Sequence, residues 1–330
     1  MNKKLMDSKK GKALCAGAIF ATLALQFGCS QGVTPIATEG HHPARPTPSL
    51  QSSTASRTAE DLSARAMADR DVQNQLFKKQ AEVYWEAASA LQDTNRALDF
   101  LASGKKAEAT AAIESAVGKF EVVLAREPQL GLVPVAISSY TRDALLSTED
   151  VEQLTSQVRQ LFNEGHYQLA RHLLQNLASE TVVSVTSLPL KSYPAALKLA
   201  VKQLHEGRSD EATRVLRTAL STQVITDEII PLPLLRAEKS LSTAEKLAEK
   251  SQRTTAENEK LKRLLDSAEK SARFAESLGY GTSADFQTYF QEIEDIRRKT
   301  SDGKSGSGFF DKIKDALKSL NLGTRRPQSG

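Results

Sequence analysis

The residues of this 330-residue chain that could do chemistry are five histidines, two cysteines and 40 carboxylates. Their spacing argues against most of it. His166 and His172 stand six apart, on opposite faces of any helix that runs through both, so they do not form the i, i+4 pair of a helical metal site. His205 stands alone, and His41 and His42 are adjacent in a Ser, Thr and Pro stretch that offers no third ligand. No Gly-x-Ser-x-Gly elbow, phosphate-binding loop, dinucleotide fingerprint or zinc-protease motif is present. Carboxylates such as Glu245, Glu249, Glu257 and Glu259 fall on the solvent side of a helical pattern. The chain reads as non-enzymatic, with no catalytic residue, no metal and no cofactor.

Cys29 is the residue whose setting does suggest chemistry. Lys3, Lys4, Lys9, Lys10 and Lys12 precede an apolar run from Ala13 to Phe27, too short for a bilayer span, which is the pattern of a secretory signal over 1–29. Its end, Leu25-Gln26-Phe27-Gly28-Cys29-Ser30, resembles the lipobox of bacterial lipoproteins, although Gln26 stands where that pattern has Leu. Lipidation of Cys29 would attach the protein to a membrane; Ser30 after it points, by resemblance to lipoprotein sorting, to the periplasmic side of the outer membrane. Ordinary cleavage beside Gly28-Cys29-Ser30 is the alternative and gives a soluble periplasmic protein. Cys15 leaves with the leader, so no intrachain disulfide remains. The basic sequence pI of 8.9 also originates in the leader. Beyond residue 29 the chain carries 39 basic and 39 acidic residues, which removes a nucleic-acid partner from consideration.

The elements that must position any binding residue are mainly α. Residues 30–58 lack large apolar side chains and are expected to form a disordered tether. Helical periodicity then runs from Ala59 to Leu101 and stops at Gly104. Around Gly104, Gly165 and Gly207 the same columns recur: Ala97, Val158 and Ala200 seven residues before; Leu101, Phe162 and Leu204 three before; Ala109, Ala170 and Ala212 five after; Ile113, Leu174 and Leu216 nine after. Two amphipathic helices joined at a glycine with positive φ have this signature, so the chain contains internally duplicated αα-hairpins. Each is followed by an extended, proline-marked run carrying Pro134, Pro189, or Pro231 and Pro233. These runs are expected to be short edge strands or connectors, a minor β element at most.

A long helix is expected from Leu234 to about Gly279, with a weakened apolar stripe from Ser251 to Lys260. A homo-oligomer seam along it is one expectation, packing on the core the other. An amphipathic helix from Phe286 to Ile296 completes a helical domain over 59–300. A linker over 301–308, a basic amphipathic helix over 309–322 and a disordered tail over 323–330 follow. Between Arg297 and Gly330 there are nine basic and three acidic residues, which would suit an anionic membrane surface.

Five strings along this framework are shared with one family: Ala90-Leu91-x-x-Thr94-x-x-Ala97-Leu98, the Gly-x-x-x-Glu-Ala turn at Gly104, Leu132-Val133-Pro134-Val135, Ile230-Pro231-Leu232-Pro233-Leu234-Leu235-x-Ala237-Glu238, and Leu278-Gly279-Tyr280-Gly281. In these the chain resembles the YfdX family of bacterial envelope proteins. The resemblance implies a mainly helical exported protein, loosely linked to stress responses, with no known catalytic site. A groove between hairpins that binds a protein, a peptide or a small amphiphile is the expected function. Tyr140, Tyr193, Arg236 and Tyr280, each beside a proline or glycine break, are the candidate groove residues. A membrane-surface protein held by Cys29 and the basic C-terminal helix is the alternative.

Overall fold

The computed structural model describes residues 58–324. The leader with Cys29, the tether up to residue 57 and residues 325–330 lie outside the described residues.

Helix α1 (Ala59–Gln80) opens with a reciprocal cap in which the Thr58 hydroxyl accepts from the Asp61 amide and the Asp61 carboxylate accepts from the Thr58 amide. The continuous helix expected through Leu101 divides after Gln80, because the Tyr84 amide donates to the Pro134 carbonyl at 3.0 Å instead of extending a helix. Three helix–helix–strand units follow: α2 (Trp85–Ala102), α3 (Lys106–Arg126) and β1 (Leu132–Arg142); α4 (Thr148–Asn163), α5 (Tyr167–Leu174) and β2 (Glu180–Pro189); α6 (Ser192–His205), α7 (Ser209–Leu220) and β3 (Val224–Pro231). Gly104, Gly165 and Gly207 turn the three hairpins with φ of 71°, 77° and 83°, a conformation that a Cβ would strain.

The extended runs form one antiparallel sheet in the order β1-β2-β3. β1 and β3 are edge strands, as expected; β2 departs from the expectation, since it is central and paired on both sides. The prolines are accommodated by position. Pro189 and Pro231 are the last residues of their strands, and Pro134 sits on edge strand β1 where the register shifts between Pro134 and Ala136. Pro233 lies in the first turn of α8 (Leu232–Ala248), where its missing amide hydrogen breaks no helical bond.

The expected long helix is also two elements, α8 and α9 (Thr255–Ser277). Thr254 caps α9 reciprocally with Glu257. The guanidinium of Arg253 collects the carbonyls that end α8, those of Leu247, Ala248 and Lys250 at 3.2, 2.9 and 3.3 Å. It also reaches the carbonyls of Thr300 at 3.4 Å and Lys304 at 2.7 Å. Helices α10 (Ser283–Thr300) and α11 (Asp311–Thr324) are the last of the described helices.

Three apolar cores result. One lies between α2, α3, α6 and α7, centred on Ile113, Phe120, Tyr193, Leu197 and Leu204. A second joins α8 to α11, and in it the apolar stripe expected as an oligomer seam, from Leu261 to Ala275, is fully used. A third packs Ala68 and Val72 of α1 against Val183, Ile230 and the start of α8. The basic C-terminal helix belongs to the second core. Phe310, Ile313 and Leu317 are buried in it, and Lys314 pairs with Glu245 at 2.6 Å. Its apolar face is therefore occupied by the protein itself, which removes the basis for a membrane attachment there.

Candidate functional site

Two of the four candidate groove residues meet. Arg236, in the first turns of α8, donates from Nη2 to Asp143 Oδ2 at 2.7 Å, and Arg65 of α1 pairs with the same oxygen. The other oxygen, Asp143 Oδ1, accepts from the Ser179 hydroxyl at 2.9 Å. The Ser179 amide in turn donates to the Tyr280 hydroxyl at 2.9 Å, and that hydroxyl donates to Glu180 Oε2 at 2.8 Å. Burial works to raise the Asp143 carboxyl, but hydrogen bonds and charge from Arg236, with Ser179 and Arg65, hold it below the usual carboxylate range. Tyr280 moves the other way, raised by burial and by the charge of Glu180. The cluster ties α1, the β1 and β2 ends, α8 and the α9–α10 turn together. Its members satisfy one another, except for the buried Nε of Arg236, which has no partner in the protein. This is a structural clasp with little capacity left for a ligand.

Tyr193 is a buried packing residue, not an exposed one. It is buried against Phe120, with ring centroids 5.2 Å apart. Burial pushes its ionisation up to about 12, opposed by the neighbouring Thr94 hydroxyl, and its own hydroxyl lacks a hydrogen-bond partner. Tyr193 also lines a crevice of about 340 Å³ between α6 and α7, with Ala196, Leu199, Val215 and Ala219. Tyr140 is exposed on β1, where the Arg142 guanidinium lies 5.5 Å from its ring centre. The four residues thus occupy three separate places.

The surface that stands out is one the motif search passed over. The hairpins α2–α3 and α6–α7 pack on each other, α3 against α6 and α2 against α7. Among the described residues the α4–α5 hairpin has no such packed partner hairpin, and its main contact with another helix is that of α4 with α9. The repeat columns make the difference measurable. Leu216 and Ile113 are fully buried, while Leu174 at the same position is 43% exposed. Leu204 is fully buried, while Phe162 in its column is 46% exposed. The hairpin's own interface is sound, since Val158 and Ala170 are buried like their counterparts.

Two further positions separate this hairpin from its sisters. Two residues after the turn glycine stand Lys106 and Ser209, but Tyr167; four residues after stand Glu108 and Glu211, but Leu169. Tyr167 and Leu169 are each 59% exposed, and the Tyr167 ring leans on Phe162 at 5.7 Å between centroids. The α4–α5 hairpin has gained apolar side chains where the packed ones carry polar or charged ones. Phe162, Tyr167 and Leu174 share one side of it, Tyr167 touching Phe162 and lying two turns before Leu174, while Leu169 falls on another face of α5. Exposed apolar side chains grouped in this way mark an interaction surface. The columns at plus two and plus four were the available sequence signal.

The comparisons place this repeat. Residues 90–229 match the family model of the YfdX protein. The YfdX match begins in α2 and ends in β3, so it takes in the three helix–helix–strand units and leaves α1 and α8 to α11 outside. A solved structure of Salmonella Typhi YfdX aligns with 46% of this chain and 93% of its own, at 14% identity and a TM-score of 0.33. No curated protein matches the chain. Among the described residues no helix is long and apolar enough to cross a membrane.

Proposed function

We propose that this YfdX-like protein is a non-enzymatic interaction protein of the bacterial envelope, and that its recognition face is the α4–α5 hairpin. The observation that carries the reading is the exposure of Leu174 at a repeat position that both sister hairpins bury, and of Phe162 at one that the α6–α7 hairpin buries. A face built to pack against another helical hairpin selects amphipathic helices as partners, because the ridges and grooves it presents are those of helix–helix packing. The leader 1–29 supports export, Cys29 a lipid anchor and residues 30–58 a tether that holds the domain off the membrane. Stress-related partners fit the family resemblance. The alternative attachment through the C-terminal helix loses its support, since the apolar side chains of α11 lie in the second core.

Photo-crosslinking amino acids introduced in living bacteria test the reading. One replaces Tyr167; the other replaces Ser209, which occupies the same repeat position in the packed hairpin. Adducts at 167 and none at 209 are expected. Equal capture at both positions, or none at 167, would remove the α4–α5 face as the site of recognition.

A further inference from the structure

We propose that the helix taken by the α4–α5 face is an acidic one, with an apolar stripe flanked by carboxylates. The proposal rests on the preceding reading of this face and names the charge of its partner. Its basis is where the hairpin carries arginine. Six residues before the turn glycine stand Leu98 and Val201 in the packed hairpins, but Arg159 in α4. Six residues after it stand Thr110 and Thr213, but Arg171 in α5. Leu98 and Val201 pack against the first core, so in the hairpins that have a neighbour this column carries apolar packing. Thr110 and Thr213 turn their hydroxyls back to the carbonyls of Lys106 and Ser209, each at 3.0 Å.

Both arginines lie on the side of the hairpin that carries its exposed apolar residues. Arg159 is one turn before Phe162, and Arg171 is one turn after Tyr167 and one turn before Leu174. Both are exposed, and among the described residues neither is held by a carboxylate. Arginines of the packed hairpins are neutralised within the chain: Arg96 pairs with Asp93 at 3.3 Å, Arg126 with Glu86 at 2.8 Å and Arg214 with Glu211 at 3.0 Å. Between Gln153 and Leu177 the sequence has one carboxylate, Glu164. It accepts from Gln160 at 2.8 Å and lies 3.9 Å from His166, beside the turn.

The face therefore joins Phe162, Tyr167 and Leu174 to two uncompensated guanidinium groups, one on each helix. A guanidinium recognises a carboxylate through paired donors, and arginine and tyrosine are among the residues on which binding energy concentrates. An acidic lipid surface offers the same charge. The helix is favoured because the equivalent faces of α2–α3 and α6–α7 receive helices, α3 against α6 and α2 against α7.

Fluorescence anisotropy of two labelled peptides against the full chain tests the proposal. Both peptides carry leucine at the a and d positions of about three heptads; one has glutamate and the other lysine at e and g, which keeps either from pairing with itself. The glutamate peptide is expected to bind at least about tenfold more tightly, and the double variant Arg159→Glu/Arg171→Glu to reverse that order. Both side chains are exposed, so the variant keeps its fold, which unchanged helical circular dichroism verifies. Tyr167→Ser is expected to weaken the glutamate peptide and so to locate it on this face. Equal binding of the two peptides, or tighter binding of the lysine peptide, with sensitivity to Tyr167→Ser, overturns the acidic partner while the recognition face stands. Binding of neither peptide, with phosphatidylglycerol vesicles held through Arg159 and Arg171, overturns the helix in favour of a lipid surface. Binding of none of these probes, or binding that Tyr167→Ser leaves unchanged, overturns both.

Discussion

Leu174 and Leu216 hold the same position in two copies of one helical hairpin, nine residues after the turn glycine, yet Leu216 is fully buried and Leu174 is 43% exposed. The difference lies in what each hairpin packs against, since Ala170 and Ala212, on the inner side of the same helices, are both buried. Removing side-chain volume from a filled core leaves a cavity, whereas removing it from a wetted surface does not. Leu216→Ala is expected to cost about 2–5 kcal/mol of stability. Leu174→Ala is expected to stay within about 1 kcal/mol. Denaturant unfolding of the two variants checks the contrast.

Asp143 accepts from Arg236 and Ser179 and pairs with Arg65, and its removal would leave two guanidinium groups facing a half-buried site without a counter-charge. Asp143→Ala is expected to destabilise by about 3–5 kcal/mol. The pH dependence has a definite sign. The folded carboxyl is held below its unfolded value, so its contribution is complete above the unfolded pKa of about 4 and is lost as pH falls through the lower folded value. Urea unfolding at neutral pH and at about pH 3 should therefore show a smaller gap between the wild type and Asp143→Asn at the acid end.

Tyr193 buries a hydroxyl whose polar neighbour, the Thr94 hydroxyl, already donates to the Ala90 carbonyl and leaves it without a hydrogen bond of its own. Burial of such a group opposes folding, so its deletion is expected to leave stability unchanged or raise it by about 1 kcal/mol. Tyr193→Phe, followed by thermal or chemical unfolding, provides the check. A loss of more than about 1 kcal/mol would mean that the hydroxyl has a bound partner.

Arg253 holds five backbone carbonyls from the end of α8, the α8–α9 turn, the last residue of α10 and the segment that follows it. Only a planar fork of donors reaches that many acceptors, so lysine is not an adequate replacement. Arg253→Lys is expected to lower stability and to speed amide exchange between residues 300 and 306, with the α2–α3 hairpin unaffected. Uniformly unchanged exchange would deny the arginine this role.

Much of this fold is legible in the sequence, and the illegible parts share a cause. The hairpins can be read because Gly104, Gly165 and Gly207 and their flanking columns act locally, through turn geometry and helical period. The sheet cannot, because pairing Leu132 with Pro189 and Glu180 with Pro231 is a long-range choice that leaves no local trace. The division of α8 from α9 is foreshadowed by the polar stretch from Ser251 to Lys260, and Arg253 explains where it falls. Tyr193 misleads because its neighbouring Pro194 suggests a surface break, whereas Pro194 lies in the first turn of α6 and the ring turns inward to Phe120. The α4–α5 face escapes a reading by apolar pattern alone, because its pattern is that of hairpins that are packed. Tyr167 and Leu169, set beside Lys106, Glu108, Ser209 and Glu211, distinguish it.

Hydrogen exchange of α5 against α7, with and without solubilised envelope extract, tests the central claim most directly. If the α4–α5 hairpin is an unpartnered interaction face, the Tyr167–Leu174 amides exchange faster than those of Ser209–Leu220 in the isolated protein and gain protection when the extract is added. Exchange in α5 as slow as that in α7 and unchanged by the extract would contradict it.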